Sequence, residues 1–381
     1  MAKPCAYITG GAGFIGFHVA KHLLAKRWRV VVLDNCSRPG VSEHLALLKT
    51  YKGLEVVDGD IRRSEDIVRG FVLAGPRVDL VLHLAAHVGV SASIKNPRDD
   101  FEINLRGTFE LLEAIRRRPK ARRPRLFIFA STNKIYGDLS HYQIKSSETR
   151  HSYANGREGV AETEPLDFRF PYACSKGAAD QYVRDYHRVY GLPTIVLRNS
   201  CIYGSHQYGV EDQSWLAQFA IRAYLGKSIT MHGDGRQVRD LLYIDDFVRL
   251  IDLICENKRG LEGRVYNVGG GAENTVSLLE LVALIEKRLK RKIQVKHAPP
   301  YPGDQKIFVS DLSSLKNELG WFPKVSVQTG LDRTLSWIET HLATIEKALG
   351  ERPKLEAGKP NTGAKPRSRR RTKGKASKAR R

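Results

Sequence analysis

Three glycines, Gly10, Gly13 and Gly16, stand between an apolar run (AYIT) and a helix-like pattern (FIGFHVAKHLLAKR). A glycine at every third position of a strand-to-helix turn leaves few possible backbones. Gly10 permits the tight turn, Gly13 lets another group approach the main chain, and Gly16 lets the helix lie close on the strand. The helix start also offers free N–H groups and the positive end of its dipole, which suits an anion such as a pyrophosphate.

The rest of the first 200 residues extends that unit. AYITG, RVVVLD, LEVVDGD, LVLHLAA, LFIFAS and TIVLRNS read as strands, with helix-like segments such as FEINLRGTFELLEAIRRR between them. Near-continuous apolar strands alternating with helices imply a parallel sheet covered on both faces. The fold expected is α/β, a doubly wound parallel sheet with a smaller C-terminal lobe. After residue 200 the rhythm changes, with a helix over 215–227, a strand-like VRDLLYIDD, RVYNVGG and two further helices, VSLLELVALIEKRLK and LDRTLSWIETHLATIEKAL. The expected division is a nucleotide-binding domain over 1–200, completed by about 240–270, and a substrate-binding lobe over 201–239 and 271–345.

Composition closes off other classes. No run approaches 18 apolar residues, so no membrane span is expected, and the N-terminus enters a strand without a secretory signal pattern. The five cysteines, Cys5, Cys36, Cys174, Cys201 and Cys255, form no CxxC pair or Cys/His cluster. Neither a disulfide framework nor a metal site is therefore expected, and a cytoplasmic protein is. Half of the net charge of +22 lies in residues 351–381, a stretch rich in Lys, Arg, Pro and Gly that is expected to be disordered. A second basic run spans Arg116–Arg125. Both read as solvated segments, and the alternative is contact with a polyanion.

The strand after the first helix, RVVVLD, ends in Asp34. A carboxylate there can accept both hydroxyls of a ribose and would repel a 2′-phosphate, which favours NAD over NADP. Asn35, Ser37 and Arg38 follow in the same loop, and Arg38 is a counter-signal because it could hold such a phosphate. Asp60 and Ile61, then Leu84, Ala85 and Ala86, lie at later strand ends on the same edge.

A second constellation opens a long helix: Pro171-Tyr172-Ala173-Cys174-Ser175-Lys176. Tyr172 and Lys176, four residues apart, share a helix face. A phenol titrates near about 10, too high for a base at neutral pH, and a nearby ammonium favours the phenolate. Such a phenolate can take a proton from a sugar hydroxyl while a hydride leaves the carbon. Thr132, at the end of LFIFAST, can hydrogen-bond the same oxygen, or simply cap the turn that follows.

The glycine motif, Asp34, Ser131-Thr132-Asn133-Lys134-Ile135-Tyr136-Gly137 and the Tyr172/Lys176 pair together resemble the extended short-chain dehydrogenase/reductases, the nucleotide-sugar epimerases and dehydratases, over about residues 5–345. ASTNKIYGDL, PYACSKGAADQYVRDY, Tyr203-Gly204, Gln207 and Asp212-Gln213-Ser214-Trp215 most resemble the CDP-paratose 2-epimerases. The resemblance implies a tightly held NAD, transient oxidation of C2 of a nucleotide-diphosphate sugar, and return of the hydride to the opposite face. It implies Thr132, Tyr172 and Lys176 as catalytic residues. It implies Gly10, Gly13, Phe14, Ile15, Asp34, Asp60, Ile61 and Asn104 as NAD contacts, and Arg239 as a diphosphate contact. Asn133 and Asp304 are expected beside the substrate, and a homo-oligomer is expected.

Two positions depart from the pattern. Tyr301 stands shortly before Asp304, where many relatives carry an arginine; it can stack on a base or ribose but cannot neutralise phosphate. His87 replaces other polar residues, and reads equally as a substrate contact, a second proton carrier or a packing residue. Alternatives to the C2 reading remain. C4 epimerisation uses identical core chemistry. Dehydration needs an acid and a base beside Thr132, where this chain has Asn133 and Lys134. A non-catalytic NAD-binding scaffold with a polyanion-binding tail would not need the three reactive residues.

Overall fold

The structure, a computed structural model, describes residues 3–210, 214–257, 260–301 and 303–350. The basic segment 351–381, and Asp212-Gln213, lie outside the described residues. Seven parallel strands form the main sheet. They are β1 (Cys5–Thr9), β2 (Arg29–Asp34), β3 (Leu54–Asp58), β4 (Leu80–His83), β5 (Phe127–Thr132), and two further strands at Thr194–Asn199 and Val265–Val268. From one edge the order is Val265–Val268, Thr194–Asn199, β5, β4, β1, β2, β3. The sheet thus runs outward in both directions from β1 and β4, the doubly wound arrangement expected.

Strand alternation explains why these runs are apolar throughout. In β1, Ala6 and Ile8 enter one core while Cys5 and Tyr7 enter the other. In β2, Val30 and Val32 likewise face away from Val31 and Leu33. Helices cover both faces, so neither set of side chains can be polar.

The later part of the chain is interleaved with this sheet. The VRDLLYIDD segment divides: Val238–Tyr243 is a strand and Ile244–Glu256 a helix. That strand pairs in parallel with Cys201–Tyr203 and Ile307–Phe308, and antiparallel with Thr275–Ser277. Val265–Val268 returns to the edge of the main sheet. FEINLRGTFELLEAIR is also split, into a π-helix at Phe101–Arg106 and an α-helix at Gly107–Arg116. Among the described residues no helix is long and apolar enough to cross a membrane.

A buried ionic joint locks the carboxyl edge of β5 to the helix Phe170–Tyr190. Arg198 and Asp180 are both buried, with Nε–Oδ2 at 3.0 Å and Nη2–Oδ1 at 3.2 Å. Ser131 Oγ donates to the same carboxylate at 2.8 Å, and Arg198 Nη1 donates to Tyr136 Oη at 2.9 Å. The residues on either side of Thr132 are thereby fixed relative to the helix that carries Tyr172 and Lys176.

Candidate functional site

The glycine turn is built for close approach. Gly10 has φ +66°, and a Cβ on it would lie 2.7 Å from Ala85 N. A Cβ on Gly16 would lie 2.3 Å from Gly10 O, so only hydrogen fits there. The helix α1 (Phe14–Ala25) starts after Gly13 with no side-chain cap, leaving its first N–H groups to another acceptor. Asp34 sits beside this turn, its Oδ2 accepting from Ala12 N at 3.0 Å and its Oδ1 from Cys36 N at 2.9 Å. Burial pushes its carboxyl up, and those N–H bonds offset that rise only in part.

The neighbouring expected contacts line the same edge. Leu84 N donates to Thr9 O at 3.0 Å and Ala85 N to Thr9 Oγ1 at 3.3 Å, which sets 84–86 beside the end of β1. Asn35 Nδ2 donates to Asp60 Oδ2 at 3.1 Å, and Ser37 N donates to Asn35 Oδ1 at 3.3 Å. Burial would raise Asp60, but its bonds from Arg62 hold it down at about 2. Ile61 is buried against Gly107. A bare glycine turn, an uncapped helix start and a strand-end carboxylate together fit the phosphates and ribose of NAD.

At the carboxyl edge of β5, Thr132 hydrogen-bonds the phenol of Tyr172. Burial pushes that phenol up to about 12, while the Thr132 hydroxyl and the Arg38 guanidinium draw it down and Asp100 pushes it up. Lys176 is buried on the same helix face. Its Nζ donates to Ala130 O at 2.5 Å and lies 4.1 Å from the centre of the Phe129 ring. Burial lowers its ammonium to about 7, against the opposing charges of Asp180 and Asp100. The Arg38 guanidinium is one positive charge that acts on Tyr172 here. The ammonium is turned toward the strand carbonyl.

Asn104, an expected cofactor contact, is buried in a network of hydrogen bonds. Its Nδ2 donates to His87 O at 2.9 Å, to Asp100 Oδ1 at 3.1 Å and to Ser175 Oγ at 3.1 Å, and its Oδ1 accepts from His87 N at 2.9 Å. It is a brace between the loop after β4, the π-helix and the helix Phe170–Tyr190. His87 is half-buried, with Nδ1 3.1 Å from Asp100 Oδ1.

A third cluster lies where the later strands meet β5. Asp304 Oδ1 accepts from Lys134 Nζ at 2.9 Å and from Arg239 Nη2 at 2.8 Å. Burial would raise Asp304, but these two cations hold its carboxyl well below the usual range. Asn133 Nδ2 donates to Gln305 Oε1 at 3.4 Å. Tyr301 stacks on His232 at 4.1 Å between ring centres, with its Oη 3.1 Å from His232 Nε2. The sequence reading missed Lys134, Asp100, Ser175 and His232 as members of this region. Lys134 alone carried a signal, its place two residues after Thr132.

The structure therefore brings together the expected turn, Asp34, Thr132, Tyr172 and Lys176, and sets Arg239, Asn133, Tyr301 and Asp304 in an adjoining cluster. The chain is 39% identical over 335 residues to a CDP-paratose 2-epimerase of Salmonella typhi, covering 87% of this chain and 98% of that one. Its fold is similar to a UDP-glucose 4-epimerase of Thermotoga maritima solved with UDP-glucose, at TM-score 0.75 and 30% identity over 89% of this chain and 99% of that one. It is also similar to a dTDP-glucose 4,6-dehydratase of Streptomyces venezuelae solved with NAD, at TM-score 0.76 and 29% identity over 90% and 99%. The profile of the NAD dependent epimerase/dehydratase family matches residues 6–269, and the chain belongs to that family.

Proposed function

We propose that this chain is an NAD-dependent nucleotide-sugar epimerase, and that it inverts C2 of a CDP-linked sugar. The observation that carries the epimerase reading is the set at the end of β5. Thr132 bonds the Tyr172 phenol, and the two residues after it are an amide and an ammonium engaged with Gln305 and Asp304. An elimination needs an acid and a base beside Thr132; Asn133 does not ionise and the Lys134 ammonium is paired with Asp304, so that acid/base pair is not presented there. The C2 reading is supported by the likeness to the Salmonella typhi enzyme.

NAD, when bound, accepts a hydride from a sugar carbon and returns it, and it adds positive charge to the site. Gly10, Gly13, Phe14, Ile15 and Asp34 would hold its phosphates and ribose. The chain's own residues manage the proton. Tyr172, as phenolate, takes the hydroxyl proton as the carbon is oxidised and gives it back on reduction. Thr132 steadies the charged phenolate through its hydroxyl, a bond to an ion that is worth more than one between neutral groups. The keto sugar turns between the two half-reactions, and atoms and electrons balance within the site. Arg239 and Lys134 exchange Asp304 for the substrate diphosphate, a contact suited to a guanidinium. We take 201–239 and 271–345 as the substrate-binding lobe, and the enzyme as a homo-oligomer. The five free thiols fit a reducing, cytoplasmic setting.

The test is incubation of the full chain with CDP-, UDP- and dTDP-linked sugars in deuterated and ordinary water, with the inverted carbon identified by NMR. Inversion at C2 of a CDP-sugar supports the assignment, and inversion at C4 replaces it with a C4 epimerase. Loss of water from the sugar refutes both. Tyr172→Phe should bind NAD and abolish turnover; retained turnover removes Tyr172 from its role.

A further inference from the structure

One joint ties distant parts of the chain together beside the glycine turn, and the proposed chemistry does not use it. The segment 204–208, Gly204-Ser205-His206-Gln207-Tyr208, follows the strand Cys201–Tyr203. Ser205 O lies 2.9 Å from His18 Nε2 on α1, and His206 O lies 3.0 Å from His44 Nε2 on the helix Val41–Leu48. These contacts span 187 and 162 positions of sequence. The other ring nitrogen of His44, Nδ1, lies 2.8 Å from Ala12 O. Phe17 stacks on His44 at 4.4 Å between ring centres and meets the His206 ring at 4.9 Å. Tyr208 closes over Gly40, where a Cβ would lie 2.0 Å from the Tyr208 ring. Trp337 packs on His206 and Tyr208 at 5.1 and 5.6 Å between ring centres.

Two features set this joint apart from ordinary packing. His206 holds φ +62°, a left-handed conformation that is strained for a residue with a side chain and persists only where its surroundings enforce it. The joint also meets both segments that fit NAD. Ala12 stands in the glycine turn and is gripped at both main-chain ends, its N–H by Asp34 Oδ2 and its oxygen by His44. Gly40 follows the loop of Asp34 to Arg38, and Val41 N donates to Arg38 O at 3.4 Å. Burial lowers His18 to about 4 and His206 to about 3, and lowers His44 as well, so uncharged rings hold the joint at neutral pH. As an uncharged ring, His44 donates to one of its two carbonyls at a time.

Release of NAD from the turn and the Asp34 loop requires those two segments to loosen around it, as lids do when they set the rate of release. We propose that the segment 204–208 is a clasp that retains NAD, held shut by His18, His44 and Tyr208 as positioning residues. The proposal rests on the cofactor seat read above. No residue of the clasp has to touch NAD, because it acts through Ala12 and Gly40. By linkage the effect is reciprocal, and bound NAD in turn holds the clasp.

Two measurements on the full chain test this. The first is release of radiolabelled NAD into an excess of unlabelled NAD, with association followed separately. His44→Phe keeps a ring against Phe17 and removes both carbonyl contacts, and Tyr208→Ala uncovers Gly40. His44→Phe should release NAD about tenfold faster, the scale of one or two neutral hydrogen bonds, with little change in association, and Tyr208→Ala should act in the same direction. Release at the native rate in both variants overturns the clasp. Slower association with unchanged release also overturns it, since the segment would then shape the seat without retaining its occupant. The second measurement is amide hydrogen exchange of the native chain with and without NAD. Residues 204–208 should exchange more slowly with NAD bound, and equal exchange overturns the proposal. It needs no variant, so it decides even where a substitution prevents folding. If the native chain binds no NAD, the cofactor seat is refuted and the clasp with it; if NAD binds and neither readout moves, the clasp alone is refuted.

Discussion

Thr132→Val isolates the one hydrogen bond on which the proposed proton transfer leans. Thr132 is buried, and valine keeps its branched shape while removing the hydroxyl that bonds Tyr172. The lost bond is to a group that becomes an anion in the reaction, which places it at roughly 1.5–3 kcal/mol. That energy corresponds to a fall in kcat of about ten- to a hundredfold at neutral pH. The same energy is a rise of about one to two units in the acid limb of the pH profile, since one unit equals about 1.4 kcal/mol. The deficit should therefore shrink as the pH is raised and Tyr172 ionises without help. The other bonds lost are long ones, from Lys134 N at 3.3 Å and to Asn133 Oδ1 at 3.5 Å, so the fold should survive. The assay is steady-state epimerisation across pH, with thermal melting as the control and Thr132→Ser as the rescue. A loss that stays constant with pH would refute the reasoning, because Thr132 would then act on the substrate alone and not on the phenol's charge.

Three further outcomes follow from the same geometry. Asp180→Ala leaves the buried Arg198 guanidinium unpaired and should cost roughly 3–5 kcal/mol in denaturant unfolding, because both partners are out of water. Gly16→Ala drives a Cβ to within 2.3 Å of Gly10 O, so calorimetry should show NAD binding lost or severely weakened, while Gly350→Ala, with nothing within 4 Å, should bind normally. The Arg116 bonds hold Glu113, and the Arg62 bonds hold Asp60, at about 2, below the ordinary carboxylate value of about 4. Groups depressed in this way contribute stability that is present above about pH 4 and lost as the pH falls toward 2. Urea unfolding between pH 5 and 2.5 should show that decline, and Glu113→Gln should flatten it.

The parts of this protein that can be read along the chain are those whose physics is local. The turn at Gly10, Gly13 and Gly16 is legible because the positive φ at Gly10 and the contact of Gly16 with Gly10 both fall within seven residues. Tyr172 and Lys176 are legible because helix geometry puts positions i and i+4 on one face. Asp34 is legible because a strand end carries its side chain to the sheet edge. What stays hidden is decided by distant pairing. The direction of the Lys176 ammonium depends on Ala130, 46 positions away. Asp304 meets Lys134 across 170 positions and Arg239 across 65. In the segment NPRDD, Asp100 reads as one more acid at a helix start, and nothing local distinguishes it from the half-buried Asp99. Folding separates the two completely, because Asp100 turns inward to His87, Asn104 and Ser175 while Asp99 stays at the surface. The same contrast explains why the reaction type is easier to argue than the sugar. Proton transfer needs a few groups whose spacing is written in one helix and one strand end. The proposed seat of the nucleotide is assembled from His232 and Arg239 on one stretch of chain and Tyr301 and Asp304 on another, and a single replacement at Tyr301 changes what that seat can neutralise.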